Sequence, residues 1–197
     1  IKHLRDAIDL PERAKKLLSF TDNRQDASLQ AGHFNDFVQV TLLRSALFNA
    51  ASGAGPDGLF YDELHKRVFD ALALPFEQYA LEPDLRGAAK LDTERAMQGV
   101  LSYRLYQDLE RGWRLNQPNL EQTGLLHIEY ESLADLAGDS EIWGNTHKAI
   151  ATATPLTREF VLRVLLDMIR RERAVRVDVL LADEQDRLKN RSDQRLS

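Results

Sequence analysis

Residues Leu17 to Gly32 read LLSFTDNRQDASLQAG. An apolar run stops at Phe20, six polar residues follow, and a helical pattern begins at once. Lys16 to Thr21 is short, apolar and flanked by charge, which predicts a strand. Asp22 and Asn23 suit the start of a helix, because their side chains can accept from the free N–H groups of a first turn. The junction is therefore expected to be a strand handing over to a helix. Unpaired amides and the helix dipole at such a junction favour an anion. Thr21, Asn23, Arg24 and Gln25 add side-chain donors, so a phosphate is one ligand that fits. Asp22 and Asp26 oppose this locally unless one of them orients Arg24 or serves as the cap. A plain capped junction with solvated polar groups is the other reading.

Outward from this point the pattern is mostly helical. The first helix is expected to run to Ala51, with Phe34, Phe37, Val38, Thr41 and Leu42 inward. Val40, Leu43 and Leu47 widen the arc, predicting burial on more than one side. The breakers of SGAGPDG, Ser52 to Gly58, end it. A second helix has Tyr61, Leu64, Val68, Ala71 and Leu72 on one face and is limited by Pro75. A third is expected from about Asp92 to Arg111, with Met97, Val100, Leu101, Leu105 and Leu109 inward and Gly112 as its stop. Leu125 to Tyr130 favours a strand, and Ser132–Ala137 a short helix. Thr154-Pro155 predicts a sharp helix start, followed by a buried stripe of Val161, Val164, Leu165, Met168 and Ile169. A last helix is expected from Val177 to about Leu188, with a mobile tail beyond.

The totals restrict the function. The 197 residues are 43% hydrophobic and 29% charged, with no cysteine. Disulfides and thiolate metal sites are excluded, which fits a cytoplasmic protein. No apolar run approaches the roughly 18 residues of a membrane span. The net charge of −5 is unlike a free-standing nucleic-acid binder, so any such contact must be local or supplied by partner domains. The start at Ile1 and the polar run LKNRSDQRLS at the end suggest a piece of a longer protein, or else a cleaved or processed product.

The stretch LLSFTDNRQDASLQAGHF resembles motif IV of superfamily-two DEAD/DEAH-box helicases, at the start of their second RecA-like domain. It is most similar to that of large bacterial helicases carrying a long helical insertion after this motif. RGWRLNQPNLEQTGLLHIEY, Arg111 to Tyr130, and FVLRVLLDMIRRERAV, Phe160 to Val175, resemble recurring stretches of that insertion. The resemblance implies a mainly α chain: a helical bundle with a few short strands. Residues 1–52 are then the motif IV strand–helix element, a fragment of an α/β RecA-like domain, and 53–197 the helical insertion. Leu17–Phe20 would lack its parental sheet here and is expected to pair with Leu125–Tyr130 or with a second copy.

The family implies ATP-driven translocation on DNA or RNA, with ATP and Mg bound elsewhere in the full-length parent and the remaining helicase domains as partners. It places Thr21, Asn23, Arg24 and Gln25 beside the nucleic-acid backbone, with Phe20 anchoring the strand. No cofactor is expected in this chain. It has no G-x-x-x-x-G-K-[ST] sequence, no DEAD or DEAH, and no recognisable arginine-finger motif. It therefore lacks ATPase activity of its own by that mechanism.

Arg114 completes the candidate nucleic-acid contacts. Trp113 beside it could stack on a base or plug the gap where the third helix meets the loop. Arg104, Arg111 and Arg114 could line one edge. Neither catalytic nor metal-binding residues emerge, since His3, His33, His65, His127 and His147 show no ligand spacing and G-x-S-x-G is absent. Asp62-Glu63 and Asp183-Glu184 read as solvated faces. The alternative function is a helical protein–protein interaction module with no nucleic-acid role.

Overall fold

The Gly- and Pro-bearing stretch after Ala51 does break the chain as its chemistry requires, and helices follow on both sides of it. The computed structural model describes residues 24–56, 58–110 and 118–197, with side chains from Asp36 onward. Helix α1 spans Arg24–Ser52, α2 Tyr61–Leu72, α3 Gly87–Glu110, α4 Leu133–Gly138, α5 Ser140–Gly144, α6 Lys148–Ala151, α7 Pro155–Arg171 and α8 Ala182–Arg195. Short 3-10 turns occupy Phe76–Gln78 and Asp178–Leu180. The fold is mainly helical, as expected. The chain divides into two units, Ile1–Val40 and Thr41–Ser197.

The second unit is built on a leucine cluster. Leu43, Ala46 and Leu47 of α1 meet Val68 of α2, Leu101, Leu105 and Leu109 of α3, and Leu120. Spacings of three and four put each set on one helix face. Each fully buried leucine here contributes roughly 1.5–3 kcal/mol. Burial of α1 is one-sided, contrary to the broad arc expected. Val40, Leu43 and Leu47 are buried, whereas Phe37, Thr41 and Leu42 are exposed. Phe34 lies outside the described side chains. On α2, Leu64, Val68, Ala71 and Leu72 face the core as expected, but Tyr61 is exposed.

Helix α3 begins five residues before Asp92. Gly87, at φ +57°, makes the entry turn, and the good helix formers Ala88 and Ala89 extend the helix backward. Further along, Gly99 lets α8 approach, since a Cβ there would lie 2.6 Å from Leu188 Cδ1.

One expected strand is absent among the described residues. Leu125–Tyr130 is not a strand. Its alternation is real, because Leu126 and Ile128 turn inward while His127 and Glu129 are exposed. Those apolar residues pack on the helical core and have no ladder partner; among the described residues the single β-bridge joins Ala80 to Leu196. Leu17–Phe20, the expected partner of Leu125–Tyr130, lies outside the described residues, as does Gly112.

The tail is also tied down. Helix α8 continues to Arg195, whose carbonyl accepts from Leu81 N (2.9 Å), and Ser197 N donates to Tyr79 O (3.0 Å). Arg195 Nε donates to Asp92 Oδ2 at 3.1 Å.

The largest reversal concerns α7. Its start is as predicted: Pro155 occupies the first turn and Thr154 Oγ1 accepts from Thr157 N at 3.2 Å. Its sidedness is not. Val161, Val164, Leu165 and Met168 are exposed, Ile169 is half-buried, and the buried residues are Arg158 and Arg170. The inward ladder is Arg158, Leu162, Leu166, Arg170, spaced by four.

Candidate nucleic-acid interface and the buried arginines

The described part of helix α1 starts at Arg24, which follows Thr21-Asp22-Asn23 in sequence. Arg24 and Gln25 are helical. Their side chains, together with Thr21, Asn23 and Arg114, lie outside the described part of the molecule, as do Phe20, Arg111 and Trp113. Arg104 does lie within it, with Nη1 3.5 Å from Gln107 Oε1.

Three other arginines dominate the described chemistry, and each is engaged internally. Arg44, on the core side of α1, forms a two-pronged pair with the fully buried Asp108 of α3, Nε to Oδ2 at 2.8 Å and Nη2 to Oδ1 at 2.7 Å. Its Nη2 also donates to Pro118 O at 2.8 Å. The Asp108 hydrogen bond, opposed by burial and helped by the carboxylate's charge, raises the Arg44 pKa. The same loop is stitched to α3 by Asn119, whose Nδ2 donates to Leu109 O (3.5 Å) and Glu110 O (3.4 Å).

Arg158 collects carbonyls. It donates from Nε to Ile150 O (3.0 Å), from Nη1 to Ala137 O (3.2 Å) and from Nη2 to Ala151 O (2.6 Å). These are last-turn carbonyls of α4 and α6, which have no partner within their own helices and carry the negative dipole end. The guanidinium also lies 5.9 Å from the Trp143 ring centre, and Trp143 Nε1 donates to Leu136 O at 2.7 Å.

Arg170 joins the two stretches that resemble the helicase insertion. Its Nη2 donates to Glu121 Oε2 (2.7 Å) and Asp167 Oδ1 (3.2 Å), and its Nε to the Tyr130 hydroxyl (3.3 Å). Tyr130 in turn donates to Asp167 Oδ1 at 2.8 Å. Buried Nη1 has no partner, a cost the charged bonds around it must offset. Arg171 lies 3.6 Å from Glu121, and Arg173 3.0 Å from Glu110. The basic run Arg170–Arg173 is therefore matched to carboxylates and does not present a free phosphate site.

No protein-family model, curated protein or solved structure matches the chain. Function must accordingly be argued from residues and geometry. Among the described residues no group of three His, Asp or Glu side chains is placed to hold a metal ion. No described helix is long and apolar enough to cross a membrane. Asp62, Glu63 and Asp183 are exposed in first helical turns, as solvated faces should be.

Arg44 and Arg158 were not singled out by sequence, and Arg170 reads there only as a basic residue in the last turn of a helix. One signal was available: Arg158, Leu162, Leu166 and Arg170 form a second stripe at spacing four, competing with the apolar one.

The Arg170 cluster carries a pH prediction. Burial acts to raise the Asp167 pKa, but hydrogen bonds from Tyr130 and Arg170 and the charges of Arg170 and Arg171 outweigh it, leaving it below the ordinary 3.8. A depressed carboxylate contributes stability that is complete above its unfolded pKa and lost as pH falls through the folded one. Thermal melts of wild type and Asp167→Asn should therefore differ at pH 5, and the gap should close only as the pH falls below 3.8 and through the depressed folded-state pKa. A gap independent of pH would contradict this.

Proposed function

We propose that this chain is a segment of a cytoplasmic, ATP-dependent nucleic-acid helicase. In that role it contributes backbone contacts at the start of α1 and a helical accessory insertion, without ATPase activity of its own. The observation that carries the reading is the motif-IV-like sequence Leu17 to Phe34, whose described part, from Arg24 on, is helical. Thr21, Asn23, Arg24 and Gln25 are the residues assigned to phosphates, and Arg114 to an adjoining part of the strand. ATP and Mg belong to the parent's other domains. The convergence of Glu121, Tyr130, Asp167 and Arg170 gives secondary support, because both insertion-like stretches then have a common structural purpose.

The test is titration of a fluorescent single-stranded oligonucleotide. Binding should be weak, detectable at low salt and lost as salt rises, because few phosphates are neutralised by a chain of net charge −5. Failure to bind at any salt counts against it.

A second reading, a helical protein–protein interaction module, is favoured by the outward apolar side of α7. Phe160 is 67% and Met168 60% exposed.

A further inference from the structure

The excess negative charge of the chain sits in one place. Glu129, Glu131, Asp135, Asp139 and Glu141 fall within 13 residues that hold no lysine or arginine, and the rest of the chain balances at 26 acidic and 26 basic residues. All five are exposed. Glu129 lies 4.0 Å from His127, and Asp139 caps α5 through Oδ1. Among the described residues Glu131, Asp135 and Glu141 form no ion pair, whereas Glu110, Glu121 and Asp167 each have an arginine. Apolar side chains share this surface. Leu136 of α4, Ile142 of α5 and Ile150 of α6 are 41%, 49% and 38% exposed. Their helices meet at Arg158, which bonds Ala137 O and Ile150 O and lies beside the Trp143 ring. Each of the three apolar residues is, or adjoins in sequence, a residue that Arg158 touches, so they occupy one small area.

We propose that this acidic, apolar surface of α4 to α6 docks an amphipathic helix of another protein, with lysine or arginine beside its apolar stripe. Charge complementarity selects the occupant. Carboxylates without internal partners attract a basic segment and repel a nucleic-acid strand or an anionic membrane. Lys148 is the one lysine or arginine between residues 129 and 151, so little opposes a cationic partner. The backbone selects its conformation. An extended peptide would need a sheet edge to satisfy its amides, and the single β-bridge among the described residues joins Ala80 to Leu196; a helix satisfies its own. Three half-exposed apolar side chains make a small anchor. Affinity should therefore be weak, with a dissociation constant on the order of 100 µM, and should fall as salt screens the carboxylates. The inference does not rest on the helicase reading.

Fluorescence anisotropy of a labelled leucine/lysine amphipathic helical peptide, titrated with the full chain, tests it. The triple variant Glu131→Gln, Asp135→Asn, Glu141→Gln should weaken binding about fivefold or more. A control triple, Glu77→Gln, Glu82→Gln, Asp84→Asn, changes the net charge equally at exposed positions elsewhere and should leave binding nearly unchanged. Ile142→Ser should weaken it about threefold. A serine/lysine peptide of the same charge should bind about fivefold more weakly than the leucine/lysine peptide, which separates docking from bulk attraction. The substituted side chains are exposed, so every variant should keep the wild-type far-UV circular dichroism. No binding by wild type, equal losses in the two triple variants, or equal affinity for the two peptides would each overturn the proposal.

Discussion

Arg158→Ala should release the short helices α4 to α6 from α7 while the leucine core stays folded. The substitution removes the donor of three carbonyl hydrogen bonds. Ile150 O keeps the N–H of Ala153 at 3.1 Å, so the loss falls on Ala137 O and Ala151 O; each buried carbonyl left without a partner costs about 1–3 kcal/mol, for an expected total on the order of 2–4 kcal/mol. Lysine should not rescue it, because one ammonium cannot reproduce a planar fork that reaches three acceptors. The loss should be regional. Packing between α4 and α7 rests on Leu133 and Ala137, whereas the leucine cluster draws on α1, α2 and α3. Hydrogen exchange should show amides of residues 133–151 accelerated and those of α3 nearly unchanged. Uniform acceleration of both would contradict this division.

Asp108→Ala should be global where Arg158→Ala is regional. Its carboxylate is fully buried, on the helix that gives Leu105 and Leu109 to the cluster. Removing it strands the Arg44 charge, and breaking one partner of such a pair typically costs about 3–5 kcal/mol. The desolvation of both charges offsets most of their attraction. Arg44→Met with Asp108→Leu should therefore be far less damaging than Asp108→Ala alone. Urea midpoints of the two single variants and the double variant would measure the coupling. Additive losses would show that the pair is not the clamp described.

Both effects rest on features the sequence hides. Apolar periodicity identified Leu101, Leu105 and Leu109 correctly, because those leucines have no better partner than one another. The Thr154-Pro155 start was legible because capping is local chemistry. The same periodicity failed on α7. A stripe of valine and leucine faces inward only when the other side has nothing better to offer. Here Arg158 and Arg170 find carbonyls and carboxylates as far as 49 positions away, and no window along the sequence reveals such partners. Leu125–Tyr130 misled for a related reason: alternation of burial records which side chains face the core, but a strand also needs a neighbour to complete its ladder. The tail reads as polar and free, yet its backbone finds Tyr79 and Leu81. Of the candidate contacts, Thr21, Asn23 and Arg114 and the side chains of Arg24 and Gln25 are not among the described residues.

The most direct test of the central claim is the salt dependence of oligonucleotide binding in wild type and Arg24→Ala. One lost phosphate contact should reduce the slope of log affinity against log salt by about 0.7 for a single strand and weaken binding equally across sequences. Superimposable lines for the two proteins would contradict the assignment of the α1 start to a nucleic-acid backbone.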